Sequence, residues 1–239
     1  MNKLALIFGG NGDIGHATAK LLNKNGWRIA LASRAKDYTI KELDIEYYKS
    51  VDVIDPKQVD SVFEELRGGQ ADTRIDAVVN CVGSILLKPA HLTSHEDYLH
   101  TINTNLTSAF NVVRSSAKNC KKDSSVVLMS SCAASIGLAY HEAISAAKAG
   151  VEGLVRSAAA TYASKGIRFN AVAPGLVDTK LSKKITSNAQ ALASSESMHA
   201  LSRIGNVDDI ASAIYFLINS SWMTGEVLRV DGGLSNTKK

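Results

Sequence analysis

The stretch Leu4-Ala5-Leu6-Ile7-Phe8-Gly9-Gly10-Asn11-Gly12-Asp13-Ile14-Gly15 constrains the fold more than any other. Five consecutive apolar residues read as a buried strand, and the strand breaks into glycines. A helical pattern follows at once, with Ala17, Leu21 and Leu22 on one stripe and Asn25-Gly26 as its stop. Gly10, Gly12 and Gly15 satisfy G-x-G-x-x-G in the strand-turn-helix context that gives the pattern meaning. Glycines let the backbone approach a pyrophosphate, and the start of the helix offers free N–H groups at the positive end of its dipole. The segment is therefore expected to hold a dinucleotide through Gly9, Gly10, Asn11, Gly12, Asp13, Ile14 and Gly15. A tight turn without a ligand is the plainer alternative.

The rest of the chain repeats the same alternation. Strands are expected at Trp27–Ala32, Tyr47–Val53, Ile75–Val82, Ser125–Ser130, Ile167–Val172 and Glu226–Val230. The run Ile75–Val82 has almost no polar alternation, as in a parallel strand covered on both faces. Helices are expected after Asp55-Pro56 (N-cap and first helical position, stopped by Gly68-Gly69), over Ser94–Asn119, after the loop Ser131–His141 to about Ser164, and over Asp208–Ile218. The implied fold is α/β: one Rossmann-type domain over 1–239, a doubly wound parallel sheet of about seven strands with helices on both faces. Residues 176–203 are polar, Ser-rich and weakly periodic, and the stretch 176–206 is the expected substrate lid.

Composition narrows the class. Three cysteines (Cys81, Cys120, Cys132) without C-x-x-C spacing argue against a disulfide framework or a metal site and suit a reducing cytoplasm. The apolar runs are strand-sized, so no membrane span is expected. Met1-Asn2-Lys3 leads straight into the first strand, so no signal peptide is expected. A net charge of +4, with Lys pairs scattered at 121–122, 183–184 and 238–239, does not make a nucleic-acid patch.

Ligands of such sheets bind beyond the carboxyl ends of the strands. The second strand ends at Ser33-Arg34, with no carboxylate before Asp37. An acidic residue there would bind a ribose 2′-hydroxyl, whereas an Arg accommodates a 2′-phosphate. The expected cofactor is therefore NADP, with NAD as the alternative.

Taken together, these strand ends resemble the short-chain dehydrogenase/reductase family over nearly the whole chain. The family's T-G-x-x-x-G-I-G falls on Phe8 to Gly15, with its outer glycines at Gly9 and Gly15, Phe8 for the Thr and Asp13 for the middle Gly. Its N-N-A-G resembles Asn80-Cys81-Val82-Gly83, and its adenine-contacting Asp resembles Asp52, followed by Val53. Its P-G-x-x-x-T resembles Pro174-Gly175-Leu176-Val177-Asp178-Thr179, and its C-terminal pattern Thr224-Gly225 with Asp231-Gly232-Gly233. By this resemblance Asn80, Cys81, Val82, Gly83, Asp52, Val53, Pro174, Gly175, Val177, Thr179 and Lys148 contact cofactor. The catalytic Asn, Ser and Lys resemble Asn105, Ser131 and Lys148.

The family's catalytic Tyr would stand four residues before the Lys, and that position is Ile144. Isoleucine has no proton to give. His141, at i−7 from Lys148 and so on the same helical face, and Tyr140 just before it are the candidate replacements. The alternative for both is a helix entry with an exposed aromatic and a solvated His. Two functions stay open. One is an NADP(H)-dependent reductase of a ketone, aldehyde or 3-oxoacyl thioester, with acyl carrier protein as a conceivable partner. The other is an NADP(H)-binding sensor or structural subunit with little turnover. The helix after His141 is rich in small residues (Ala143 to Gly153), and with the resemblance this implies a homotetramer or homodimer.

Overall fold

Strand β1, Leu4–Phe8, lies in the interior of the sheet and sets the layers on either side. Its five side chains are completely buried, and they alternate: Leu4, Leu6 and Phe8 pack on one face of the sheet, Ala5 and Ile7 on the other. A strand apolar on both faces needs cover on both, and helices supply it. The computed structural model describes residues 3–38, 43–68 and 75–237. Met1-Asn2, Gly69 (the expected helix stop) and the Lys238-Lys239 pair lie outside these residues.

Seven parallel strands form one sheet: β1, β2 (Arg28–Ser33), β3 (Tyr47–Ser50), β4 (Ala77–Asn80), β5 (Ser125–Met129), β6 (Arg168–Pro174) and β7 (Val227–Val230). Their order is β3-β2-β1-β4-β5-β6-β7. The order reverses between β1 and β4, and the crevice at their carboxyl ends is the switch point where such sheets bind ligands. Helices α1 (Asp13–Lys24) and α8 (Val207–Asn219) pack on the Ile7 face, and α2 (Pro56–Gly68), α4 (Ser108–Asn119) and α5 (Glu142–Tyr162) on the Leu6 face. The expected Asp55 cap is present: its Oδ1 accepts from the Lys57 N–H at 2.8 Å. No helix among the described residues is long and apolar enough to cross a membrane.

One expected helix differs. Ser94–Asn119 is not a uniform α-helix but α3 (His95–Ile102), a π-helical turn (Asn103–Thr107) and α4. Inside the turn, the Asn105 amide donates to the Thr101 carbonyl four residues back, at 2.9 Å. Such back-bonding competes with the backbone ladder, and π turns often mark functional sites. The weakly periodic 176–203 stretch is partly helical, with α6 (Lys183–Thr186) and α7 (Ala189–Met198), the latter capped by Asn188.

Candidate active site

The carboxyl ends of β1, β2, β4, β5 and β6 open into one cleft with two chambers. The outer chamber, about 490 Å³, lies over the glycine turn, and the inner one, about 160 Å³, over the ends of β5 and β6. Ile14, Cys81, Val82, Gly83, Thr179 and Leu181 line both.

The glycine turn is shaped by close backbone approach. Gly9 has a φ of +79°, and a Cβ on Gly15 would lie 2.3 Å from the Gly9 carbonyl oxygen. Gly12 caps α1 with no side-chain acceptor, so the first-turn N–H groups stay available. Gly10 departs from expectation. It is buried against β2, where a Cβ would meet Leu31 at 2.8 Å, and it does not line the cleft. Its glycine serves packing. Asp13 lines the cleft, and its carboxylate reaches across it: Oδ2 accepts from the Lys180 N–H at 2.6 Å, and Oδ1 lies 3.7 Å from Lys180 Nζ. That ties the 179–182 stretch to the turn.

At the far end of the outer chamber, Ser33 Oγ and the Tyr48 hydroxyl are hydrogen-bonded at 2.8 Å, and Asn11 donates to Tyr48 at 3.4 Å. Arg34 is exposed beside them, and among the described residues no carboxylate pairs with it. Asp52 and Val53 line the middle. The Val53 and Ile54 carbonyls are held by the Asn111 amide at 3.0 and 2.9 Å, a support that no motif signalled. On two residues that line this chamber, a buried polar atom lacks a protein partner: Asn11 Oδ1 and Thr104 Oγ1. Buried polar atoms normally find partners. The uncapped helix start and the unpaired Arg34 suit a large polar, anionic ligand. Asn80 does not line the cleft: it is buried, and its Oδ1 accepts from the Val82 N–H at 3.2 Å, shaping the turn that does.

The inner chamber gathers Asn105, Ser131, Ile144 and Lys148 with Pro174, Gly175 and Val177. Asn105 is locked by donating to Ser84 Oγ at 2.9 Å and accepting from the Ser84 N–H at 3.1 Å. Ser131 follows β5 in extended backbone, and its Oγ accepts from the Ala133 N–H at 3.2 Å. The neighbouring Ser130 is spent elsewhere, donating to Glu152 at 2.9 Å. Lys148 is buried, and its Nζ donates to the Met129 carbonyl at 2.8 Å. Burial pulls its pKa down to about 8, with Cys81 acting weakly the other way. Burial likewise pushes the Cys81 thiol up to about 12.

The chain matches the family model described as enoyl-(acyl carrier protein) reductase over residues 10–235. Carbonyl reductase family member 4 of Danio rerio is 34% identical, over 98% of this chain and 98% of the relative. The 3-oxoacyl-[acyl-carrier-protein] reductase of Bos taurus is 33% identical, over 99% of this chain and 100% of its own. This chain belongs to the short-chain dehydrogenase/reductase family. Among solved structures, ElxO with NADP bound superposes with a TM-score of 0.89 at 31% identity, covering 99% of this chain and 100% of that one. The ligand-free aldohexose dehydrogenase of Thermoplasma acidophilum gives 0.89 at 27% identity, covering 99% and 95%.

In this short-chain dehydrogenase/reductase, position 144 presents an apolar side chain to the inner chamber. Neither expected stand-in for the Tyr lines it. His141 ends the loop before α5 with its Nδ1 2.7 Å from the Ala139 carbonyl oxygen. Helical periodicity put it on the Lys148 face, but it stands one residue outside the helix, with φ −108° and ψ 10°, where that periodicity no longer applies. Tyr140 is 60% exposed at a φ of +67°, a left-handed turn that carries its ring into solvent. Ser84 and Thr104 also line the cleft without having been expected to, Ser84 from the loop after β4 and Thr104 from the π-helical turn, while Lys180, Leu181 and Ser182 line it from within the expected lid.

Proposed function

We propose that this oxidoreductase interconverts a carbonyl and an alcohol with NADP(H), acting on a 3-oxoacyl thioester or a small ketone or aldehyde. The observation that carries this is the convergence of Asn105, Ser131 and Lys148 in a chamber continuous with the glycine turn. When bound, the cofactor supplies the hydride. The α1 N-terminus and Gly9–Gly15 would hold its pyrophosphate, Asp52 and Val53 its adenine, and Ser33 with Arg34 its 2′-phosphate. Ser131 would hold the substrate oxygen, and Asn105 would order the proton path. Lys180 and the lid over 176–206 would close the cleft and exclude water. The relatives' names support the substrate class, including an acyl carrier protein partner, and NADP in ElxO supports the cofactor. We also place the protein in the cytoplasm as a homotetramer or homodimer. A sensor without turnover finds no support among relatives that are named reductases.

Cofactor choice is tested by titrating NADPH and NADH into wild type and Arg34→Ala. NADPH is expected to bind more tightly, and the substitution to weaken it about 10-fold while sparing NADH, as for loss of a charge-assisted phosphate contact. Equal affinities in both proteins would reject the assignment.

A further inference from the structure

The inner chamber must protonate an oxygen if the reading above holds, and this inference rests on that reading. Among the described residues, only two groups lining the chamber can ionise, Cys81 and Lys148. The hydroxyls of Ser84, Ser131, Thr179 and Ser182 can pass a proton along but cannot be its source. Tyr140, His141 and Glu142, the other titratable groups at the start of α5, do not line it. Ile144 is 5% exposed and stands one helical turn before Lys148, so no side-chain O–H comes between Lys148 and the chamber on that face of α5.

Lys148 is built for more than anchorage. An ammonium has three N–H donors, and the protein takes one of them, through the Met129 carbonyl at 2.8 Å. Gly83 clears the approach on the other side. A Cβ there would lie 3.5 Å from Lys148 Nζ and 3.1 Å from Asn105 Oδ1. Among the described residues no protein acceptor takes the other two, and Lys148 lines a chamber that also holds Asn105 and Ser131.

We propose that Lys148 is the proton donor of the reaction, in place of the missing phenol. The carbonyl carbon gains a hydride from a reduced nicotinamide, whose ring is oxidised. The carbonyl π pair moves onto oxygen and forms the new O–H bond with a proton from Lys148 Nζ, directly or through one intervening hydroxyl. The N–H bond breaks, its electron pair stays on nitrogen, and the neutral amine regains a proton from solvent. The reverse reaction uses the same groups.

The electrostatics agree with this geometry. Burial holds Lys148 near a pKa of about 8, close to where a general acid works best at neutral pH. From the loop after β4, Cys81 faces it as a neutral thiol, its pKa pushed up to about 12 by burial. On its own helix, one turn on, Glu152 is engaged with Ser130 and, at 4.0 Å, with Arg156. From β5 it meets the Met129 carbonyl, and Asn105 of the π turn lines the same chamber; neither titrates.

The test combines a titration with kinetics. Lysine labelled with ¹³C at Cε is followed by NMR against pH in the ligand-free protein, the Lys148 signal being assigned by its loss in Lys148→Arg. In parallel, kcat is measured against pH for wild type, Lys148→Arg and the double variant Ile144→Tyr/Lys148→Arg. Lys148 is expected to titrate near 8, and wild-type kcat to fall above that pH. Lys148→Arg, which keeps a cation but cannot release a proton, is expected to bind NADPH and lose 10²- to 10⁴-fold, roughly, in kcat. The added phenol is expected to return part of that loss. A Lys148 signal titrating near the ordinary lysine value, a wild-type kcat that ignores pH across that range, or an undiminished kcat in Lys148→Arg would overturn the assignment and leave the reductase reading intact. NADPH binding without turnover by wild type on every carbonyl tried would overturn both.

Discussion

Gly15→Ala perturbs the turn at its tightest point. The added Cβ would stand 2.3 Å from the Gly9 carbonyl oxygen and 3.1 Å from the Gly10 Cα, whereas ordinary van der Waals contact begins at 3.4 Å. Both neighbours are backbone, and Gly9 is fixed by its own N–H bond to the Ala32 carbonyl at 2.7 Å. About 1 Å of clearance must therefore come from moving the turn against α1 rather than from a side-chain rotation. Overpacking of this kind costs about 1–3 kcal/mol. It should appear as a lower urea midpoint with an unchanged slope. Because the displaced backbone is the phosphate cradle, NADPH affinity should fall more than tenfold. Gly153→Ala is the control: it lies inside α5 with nothing within 4 Å of its Cβ position. It should stabilise the protein by about 1 kcal/mol through helix propensity. Unchanged stability and NADPH affinity in Gly15→Ala would refute the close-packed turn.

Other expectations follow from single contacts. Asn111→Ala removes the amide holding the Val53 and Ile54 carbonyls, and should cost about 1–3 kcal/mol in urea melts and weaken NADPH binding. Arg168 donates to the Leu217 and Ile218 carbonyls at the end of α8, at 2.9 and 2.7 Å, so Arg168→Met should lower stability by about 2 kcal/mol without changing cofactor affinity. Asp13→Ala releases Lys180, and limited trypsin digestion should cut the 180–184 stretch faster than in wild type. The folded pKa of Lys148 is about 8 and the unfolded value about 10.4, so the unfolded chain holds more protons between them. The destabilisation from burying this cation is full below pH 8 and is relieved as pH rises to about 10.4. Lys148→Met should consequently raise the thermal midpoint at pH 7, and a lower midpoint would contradict the sign.

The inner strands were legible because they are short and apolar on both faces; β1 shows this in five residues. The cofactor half was legible because glycines at Gly9 and Gly15 have no substitute where backbones meet. What stayed hidden was set by long-range contact. Gly10 matched the motif, yet Leu31 from β2 explains it. Asp13 stands where the family motif has a glycine, and the partner of its carboxylate, the 180 loop, is 167 residues away in sequence. The π turn at Asn105 has the same composition as an α-helix, so periodicity does not separate them. His141 shares a face with Lys148 only if the helix already includes it, and the chain turns one residue too late for that.

The most direct test is NADPH oxidation followed at 340 nm over a panel of 3-oxoacyl thioesters, ketones and aldehydes, with Ser131→Ala beside wild type. Wild type is expected to consume NADPH with at least one carbonyl, and Ser131→Ala to lose about 10²- to 10³-fold in rate while still binding the cofactor. NADPH bound tightly but never oxidised, or oxidation indifferent to Ser131, would contradict a reductase built on this cleft.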